Sequence, residues 1–246
     1  MLTVNDLSVK YPDGALAIDS VRFAIGAGEN VALIGANGAG KTTLLLALVG
    51  ILLPSGGDIR IRDIEKRVAH PGGAQANEIM LGKKTLRDAR SLIGMVFQNP
   101  DDQLFMPSIY DDVAFGLRNF GCGEEEVANR VGAALSSLGI DHLAERSPLK
   151  LSGGEKRLAA IASVLSMDPQ LLLFDEPTAF LDPRARRNLI ATLSGLPQAK
   201  LIATHDLAFA QTVCPRALLL QKGKLVADVS SIDILHDAAA LEAAGL

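Results

Sequence analysis

Gly35-Ala36-Asn37-Gly38-Ala39-Gly40-Lys41-Thr42 fits the pattern G-x-x-x-x-G-K-[ST]. A loop of this make-up holds phosphate. Its glycines let the backbone curl so that successive N–H groups face an anion, and the N-terminus of a following helix adds partial positive charge. Lys41 is expected to reach the β- and γ-phosphates of a nucleoside triphosphate. Thr42 is expected to offer its hydroxyl to Mg²⁺, an ion that keeps several waters and takes one or two protein oxygens. A second chemical group lies at Leu171-Leu172-Leu173-Phe174-Asp175-Glu176, four apolar residues ending in two carboxylates. Such a run reads as a buried strand with both acids at its carboxyl end, where α/β sheets form ligand crevices. Asp175 is expected to hold Mg²⁺ through its water shell, and Glu176 to act as general base on the water that attacks the γ-phosphate. The competing reading, two acids that merely cap the next helix, fits poorly because Pro177 follows at once. A third group, Leu151-Ser152-Gly153-Gly154-Glu155, precedes a helix-type run through Leu165, so Ser152, Gly153 and Gly154 sit at another phosphate-ready helix N-terminus.

Elements of the right kind surround these groups. Residues 2–11 and 19–27, separated by Pro12-Asp13-Gly14, read as an antiparallel hairpin. Asn30–Ile34 reads as a strand running into the glycine loop, and Lys41–Val49 as the helix that leaves it, stopped by Gly50. Further short apolar strands are expected at Leu92–Phe97, Leu171–Phe174, Leu201–Thr204 and Ala217–Gln221, with helical stretches between them. That alternation implies an α/β fold with a mostly parallel sheet. Residues 107–166 contain no convincing strand; Ser108–Arg118, Glu124–Leu138 and Gly154–Ser166 read as three helices of an inserted helical subdomain, about 99–166. Residues 63–90, with His70-Pro71-Gly72-Gly73, read as an irregular surface insertion, and His70 has no companion at metal-ligand spacing.

Composition narrows the function classes. The 246 residues are 48% hydrophobic, enough to fill a sizeable core, and the net charge of −4 with scattered Lys and Arg gives no footprint for nucleic acid. Cys122 and Cys214 lie far apart without metal spacing, which suits a reducing compartment. No stretch approaches the ~18 apolar residues needed to span a bilayer, and the first residues lack a signal-peptide pattern. The expected location is therefore cytoplasmic, with any membrane role supplied by a partner.

The L-S-G-G sequence at Leu151–Gly154, after the phosphate loop and before the paired acids, resembles the signature of the ATP-binding cassette (ABC) ATPases, and the resemblance runs along essentially the whole chain. It implies a P-loop NTPase core with an N-terminal antiparallel β subdomain and an inserted helical subdomain, a single ATPase domain over 1–246, and ATP with Mg²⁺ as ligands. By this resemblance Tyr11 stacks on adenine, Thr43 joins Gly35–Thr42 in holding the nucleotide, and Gln98 links Mg²⁺ to a membrane partner. Asp182 belongs to a loop that crosses a dimer, and His205 senses the γ-phosphate. Taken alone, His205 reads as a satisfied or helix-capping histidine and Tyr11 as a packing aromatic. Two copies, or this chain and a paralogue, would pair head to tail, with Ser152, Gly153 and Gly154 of one closing on ATP held by the other.

Gly94-Met95-Val96-Phe97-Gln98-Asn99-Pro100-Asp101-Asp102-Gln103-Leu104-Phe105, followed by Tyr110–Gly116, is similar to the ATPases of energy-coupling-factor importers. These bring vitamins or Co²⁺ and Ni²⁺ into prokaryotic cells with a transmembrane coupling protein and a membrane substrate-binding component. The resemblance places the chain peripherally on the cytoplasmic face of the membrane, with cobalt or nickel as the expected cargo and a vitamin as the alternative. Two positions depart from the pattern: members often carry Arg where this chain has Leu158, and a small residue where it has Phe180. A soluble ABC ATPase acting on ribosomes or DNA, a nucleotide kinase and an inactive ATP-binding regulator are competing readings. The first lacks tandem cassettes or basic patches here, the second has no use for the signature, and the third sits poorly with the presence of both Glu176 and His205.

Overall fold

The computed structural model describes residues 1–64, 78–231, 233 and 241. The elements run β1 (Leu2–Lys10), β2 (Leu16–Ile25), β3 (Asn30–Ile34), α1 (Lys41–Leu48), β4 (Gly56–Arg62), β5 (Glu78–Met80), α2 (Leu86–Leu92) and β6 (Ile93–Val96). They continue with α3 (Ile109–Asn119), α4 (Glu124–Ser137), α5 (Gly153–Leu165), β7 (Leu171–Asp175), α6 (Pro183–Gly195), β8 (Ala199–Thr204), α7 (Leu207–Val213), β9 (Arg216–Gln221) and β10 (Lys224–Ser230). They fall into two contact units, one of Met1–Met95, Gln170–Asp175 and Pro197–Leu246, the other of Val96–Pro169 and Glu176–Leu196.

The first unit opens with the expected hairpin. Leu2, Val4, Leu7 and Val9 are buried on β1, and the alternation survives a break at Asp6 (φ 46°) because the register shifts there, as at a β-bulge. The turn closes through Tyr11 N–H to the Ala15 carbonyl and Gly14 N–H to the Tyr11 carbonyl, both 2.9 Å. β2 begins at Leu16, three residues before the expected start at 19, and the other edge of β1 pairs with β4, giving the order β2-β1-β4-β5. Irregular structure over 63–90 is thus corrected for its later part, since Glu78–Met80 is a strand on β4 and Leu86–Leu92 a helix. His70–Gly73 lies outside the described residues.

The second sheet has the order β10-β9-β3-β8-β7-β6, with β9, β3, β8 and β7 parallel and β10 antiparallel to β9. Val31–Ile34, Leu171–Asp175 and Ala199–Thr204 are buried throughout, as in strands covered on both faces. Burying each large apolar side chain contributes roughly 1.5–3 kcal/mol. Ile34 pairs with Thr204 and Asp175 with Ala203, so the carboxyl ends of β3, β8 and β7 are level. The next residues in the chain, Gly35, His205 and Glu176, are those assigned to chemistry.

In the second unit the three expected helices lie within a residue of their predicted bounds. Ser108 caps α3 by accepting the Asp111 N–H, and Ile109, Val113, Ala114 and Leu117 form its buried stripe. Val127, Val131, Ala134 and Leu135 do the same on α4, whereas α5 is buried all round over Ala159–Ala162. α6 starts at Asp182-Pro183, a capping residue followed by proline at the first helical position, and buries only Leu189 and Leu193.

Candidate nucleotide site and signature helix

In the first unit the glycine loop is built so that its backbone passes where no side chain fits. A Cβ on Gly35 would lie 2.3 Å from the Leu220 carbonyl oxygen, and Gly40, which caps α1, has a φ of 107° close to Ala17 and Ile18. α1 then leaves with Lys41 buried and its Nζ donating to the carbonyls of Gly35 at 2.7 Å and Ala36 at 3.2 Å. The exposed Thr42 turns to the end of β7, where its Oγ1 donates to Asp175 Oδ2 at 2.8 Å. Thr43 points inward and meets the Tyr11 hydroxyl at 2.5 Å, which anchors a Tyr11 ring that stays 42% exposed. His205 is exposed just past β8. The helix-cap role goes instead to Asp206, which accepts the Phe209 N–H at 2.9 Å, while Thr204 Oγ1 accepts the Asp206 N–H at 3.0 Å.

Hard oxygens of one hydroxyl and one carboxylate, within hydrogen-bond distance of each other beside a phosphate-type loop, are the donor set that suits Mg²⁺. Among the described residues no group of three or more His, Cys, Asp and Glu could cage a metal alone. The fit is therefore to an ion that shares its coordination with phosphate and water.

Glu176 follows Asp175 with a left-handed φ of 42° and is 6% exposed; its carbonyl accepts the Ala179 N–H. A non-glycine residue held there costs energy, and such strain clusters at functional positions. In the second unit Ser152 caps α5 in a full capping box: Glu155 N–H donates to Ser152 Oγ, and Ser152 N–H donates to Glu155 Oε2 at 2.8 Å. The Ser152 hydroxyl and N–H hold the Glu155 carboxyl below its usual pKa. Asp182 caps α6, accepting from Arg184 and Ala185 N–H groups, and those bonds hold its carboxyl low as well. Both caps line a single cavity of about 200 Å³ together with Leu158, Leu181 and Ala185. Gly154 permits this approach, since a Cβ there would sit 3.1 Å from the Ala185 Cβ. Phe180, two residues before that cap, is 91% exposed at a φ of 62°. The backbone carbonyl of Gln98 accepts from Arg157.

Sequence reasoning passed over several groups that shape this region. The Ser152–Glu155 box carried a signal in its S-x-x-E spacing. Nothing in the sequence marks the contacts of Arg157, Gln103 and Asp112, because these side chains bind backbone groups outside their own elements.

With fold and site in view, the chain can be set beside known proteins. Residues 18–179 match the ABC transporter family. A putative ABC transporter ATP-binding protein of Gloeobacter violaceus is 46% identical over 100% of this chain and 95% of its own length. An energy-coupling factor transporter ATP-binding protein of Methanothermobacter thermautotrophicus is 39% identical over 100% of this chain and 76% of its own. The solved structure of cbiO1 from Clostridium perfringens, described as part of the ABC transporter complex cbiONQ, superposes with a TM-score of 0.79 at 34% identity, covering 98% of this chain and 93% of that one. The chain belongs to the ABC transporter family as an ATP-binding ATPase of the energy-coupling factor type. No helix among the described residues is long and apolar enough to cross a membrane.

Proposed function

We propose that this chain works as a dimer, with a second copy or a paralogue, on the cytoplasmic face of the membrane, where ATP hydrolysis powers import of Co²⁺ or Ni²⁺. The carrying observation is the Thr42–Asp175 hydrogen bond, which puts the glycine loop and the acid-ended strand at one place. The importer type draws on the resemblance of residues 94–116, and the choice of a metal ion over a vitamin on the fold match to cbiO1 alone.

In this reading the loop from Gly35 to Thr43 wraps the phosphates, Lys41 moves its ammonium from the loop carbonyls to the β- and γ-phosphates, and Tyr11 stacks on adenine. Thr42, Gln98 and Asp175 would hold Mg²⁺, and the ion would supply positive charge to offset that of the phosphates. Glu176 takes a proton from water as the water oxygen bonds the γ-phosphorus and the bond to the bridging oxygen breaks, leaving ADP and phosphate. His205 donates to a γ-phosphate oxygen and positions it. Ser152, Gly153 and Gly154 of the second copy close over the same phosphate, with Asp182 on the crossing loop. ATP thereby favours the closed dimer, and loss of phosphate removes that preference.

The test is to recover the tagged chain from native membranes, identify its integral-membrane partners, and measure ATP-dependent uptake of Co²⁺, Ni²⁺ and vitamins. A transmembrane coupling protein with a small substrate-binding membrane protein, and uptake of either metal ion, is the expected result. Uptake of a vitamin alone would replace the cargo, and soluble partners alone would overturn the transport reading.

A further inference from the structure

Arg157 lies on the first turns of α5, five residues after the cap Ser152, yet it is 2% exposed. Its guanidinium reaches back across the second unit and donates from Nη1 to the Phe97 carbonyl at 2.7 Å and from Nη2 to the Gln98 carbonyl at 2.6 Å. The same stretch is gripped a second time. Gln103 Oε1 accepts the Phe97 N–H at 3.1 Å, while its Nε2 donates to the Ala160 carbonyl at 2.8 Å and Ser163 Oγ at 3.0 Å. Lys156 adds an ion pair to Asp101 at 2.6 Å nearer the surface. Three backbone polar groups at 97–98, the Phe97 N–H and the carbonyls of Phe97 and Gln98, are thus satisfied by α5 itself or through a side chain bound to α5. Charge-assisted bonds from a planar fork fix both position and orientation.

We infer that Arg157 is a positioning residue that makes the segment 97–103 and the signature helix one rigid piece, so that Gln98 and Ser152 hold a fixed relation. The inference rests on the proposed reading of these two residues as nucleotide-site groups. Buried and forked as it is, Arg157 differs from Arg130, whose Nε donates to the single Ser166 carbonyl from a more exposed position and staples α4 without touching the site. A displaced site group is costly for turnover even when binding survives.

The experiment compares Arg157→Met and Arg157→Lys with wild type and with Arg130→Met, reading amide hydrogen exchange and ATP turnover on the full chain. Arg157→Met is expected to speed exchange of residues 97–103 by about tenfold or more while α3 and α4 keep their protection. Its kcat should fall by at least about tenfold with KM for ATP within about threefold, because the glycine loop is untouched. Arg157→Lys should recover only part of the loss, since an ammonium cannot span both carbonyls. A kcat within twofold of wild type, or a loss matched by Arg130→Met with exchange raised evenly across the unit, overturns the inference. If Arg157→Met does not fold, Gln103→Met carries the test, with the same pattern expected at smaller size and an unchanged kcat fatal to it. Absence of turnover in wild type would count against the functional reading, and the exchange pattern would still decide the clamp.

Discussion

Thr42 and Asp175 stand 133 residues apart in the chain and are joined by a 2.8 Å hydrogen bond, the threonine hydroxyl donating to the carboxylate. Each is placed by a different device: Thr42 by the helix that Gly40 starts, Asp175 by a strand in register with β8. Asp175→Asn keeps the size and an acceptor but removes the charge. Mg²⁺ affinity is expected to drop by about 10–100-fold, as for loss of a group that orients a metal's ligands. A Mg²⁺ titration of turnover checks this, and an unchanged midpoint would remove Asp175 from the metal site. Chelation of Mg²⁺ should stop turnover in wild type.

Glu176 is buried in a left-handed conformation. Glu176→Gln preserves volume and backbone and deletes the proposed base. Turnover should slow by at least about 10²-fold while ATP binding and dimerisation persist. Near-normal turnover would assign the proton to another group.

Gly35 and Gly38 make opposite demands. Gly35→Ala forces a Cβ against the Leu220 carbonyl at 2.3 Å, a backbone atom that cannot swing aside, so a loss of about 1–3 kcal/mol in stability is expected. Gly38 has a φ of 79° and nothing within 4 Å of a built Cβ, so Gly38→Ala should cost only about 1 kcal/mol of left-handed backbone strain. Urea denaturation of both variants decides it; equal losses would mean the loop relaxes around Gly35.

Asp112 supplies the pH prediction. Its Oδ1 accepts the N–H groups of Phe105 at 2.9 Å and Met106 at 3.0 Å, its Oδ2 has no hydrogen-bond partner, and it is 5% exposed. Burial pushes its pKa above the ordinary 3.8, the two N–H bonds oppose the rise, and the charge of Asp111 adds to it. The folded state therefore keeps this proton to higher pH than the unfolded chain. Stability from this group falls as pH rises from about 3.8 through the raised value, and then stays level. The midpoint difference between wild type and Asp112→Asn should shift in the variant's favour between pH 4 and 7. A pH-independent difference would show that Asp112 titrates alike in both states.

Much of the fold and of the candidate site was legible along the chain. The phosphate loop, the acids ending an apolar run and the capped signature helix are local patterns, each encoded within a dozen residues by glycine, charge and periodicity. β3 and α1 could be placed for the same reason. β5 could not, because three residues with one buried side chain carry too little pattern and are held by β4 rather than by their own propensity.

Residue types and their spacing were enough to say that this chain is an ABC-type ATPase and to nominate Glu176 as its reactive carboxylate. Only the folded chain decided that Tyr11 braces Thr43, that Ser152 and Asp182 share one cavity, and that Arg157 carries the backbone of Gln98. These are contacts between groups far apart in sequence, and no local preference records them. They exist because burial leaves a carbonyl, a hydroxyl or a helix end without water, and the side chain that can reach it is set by packing.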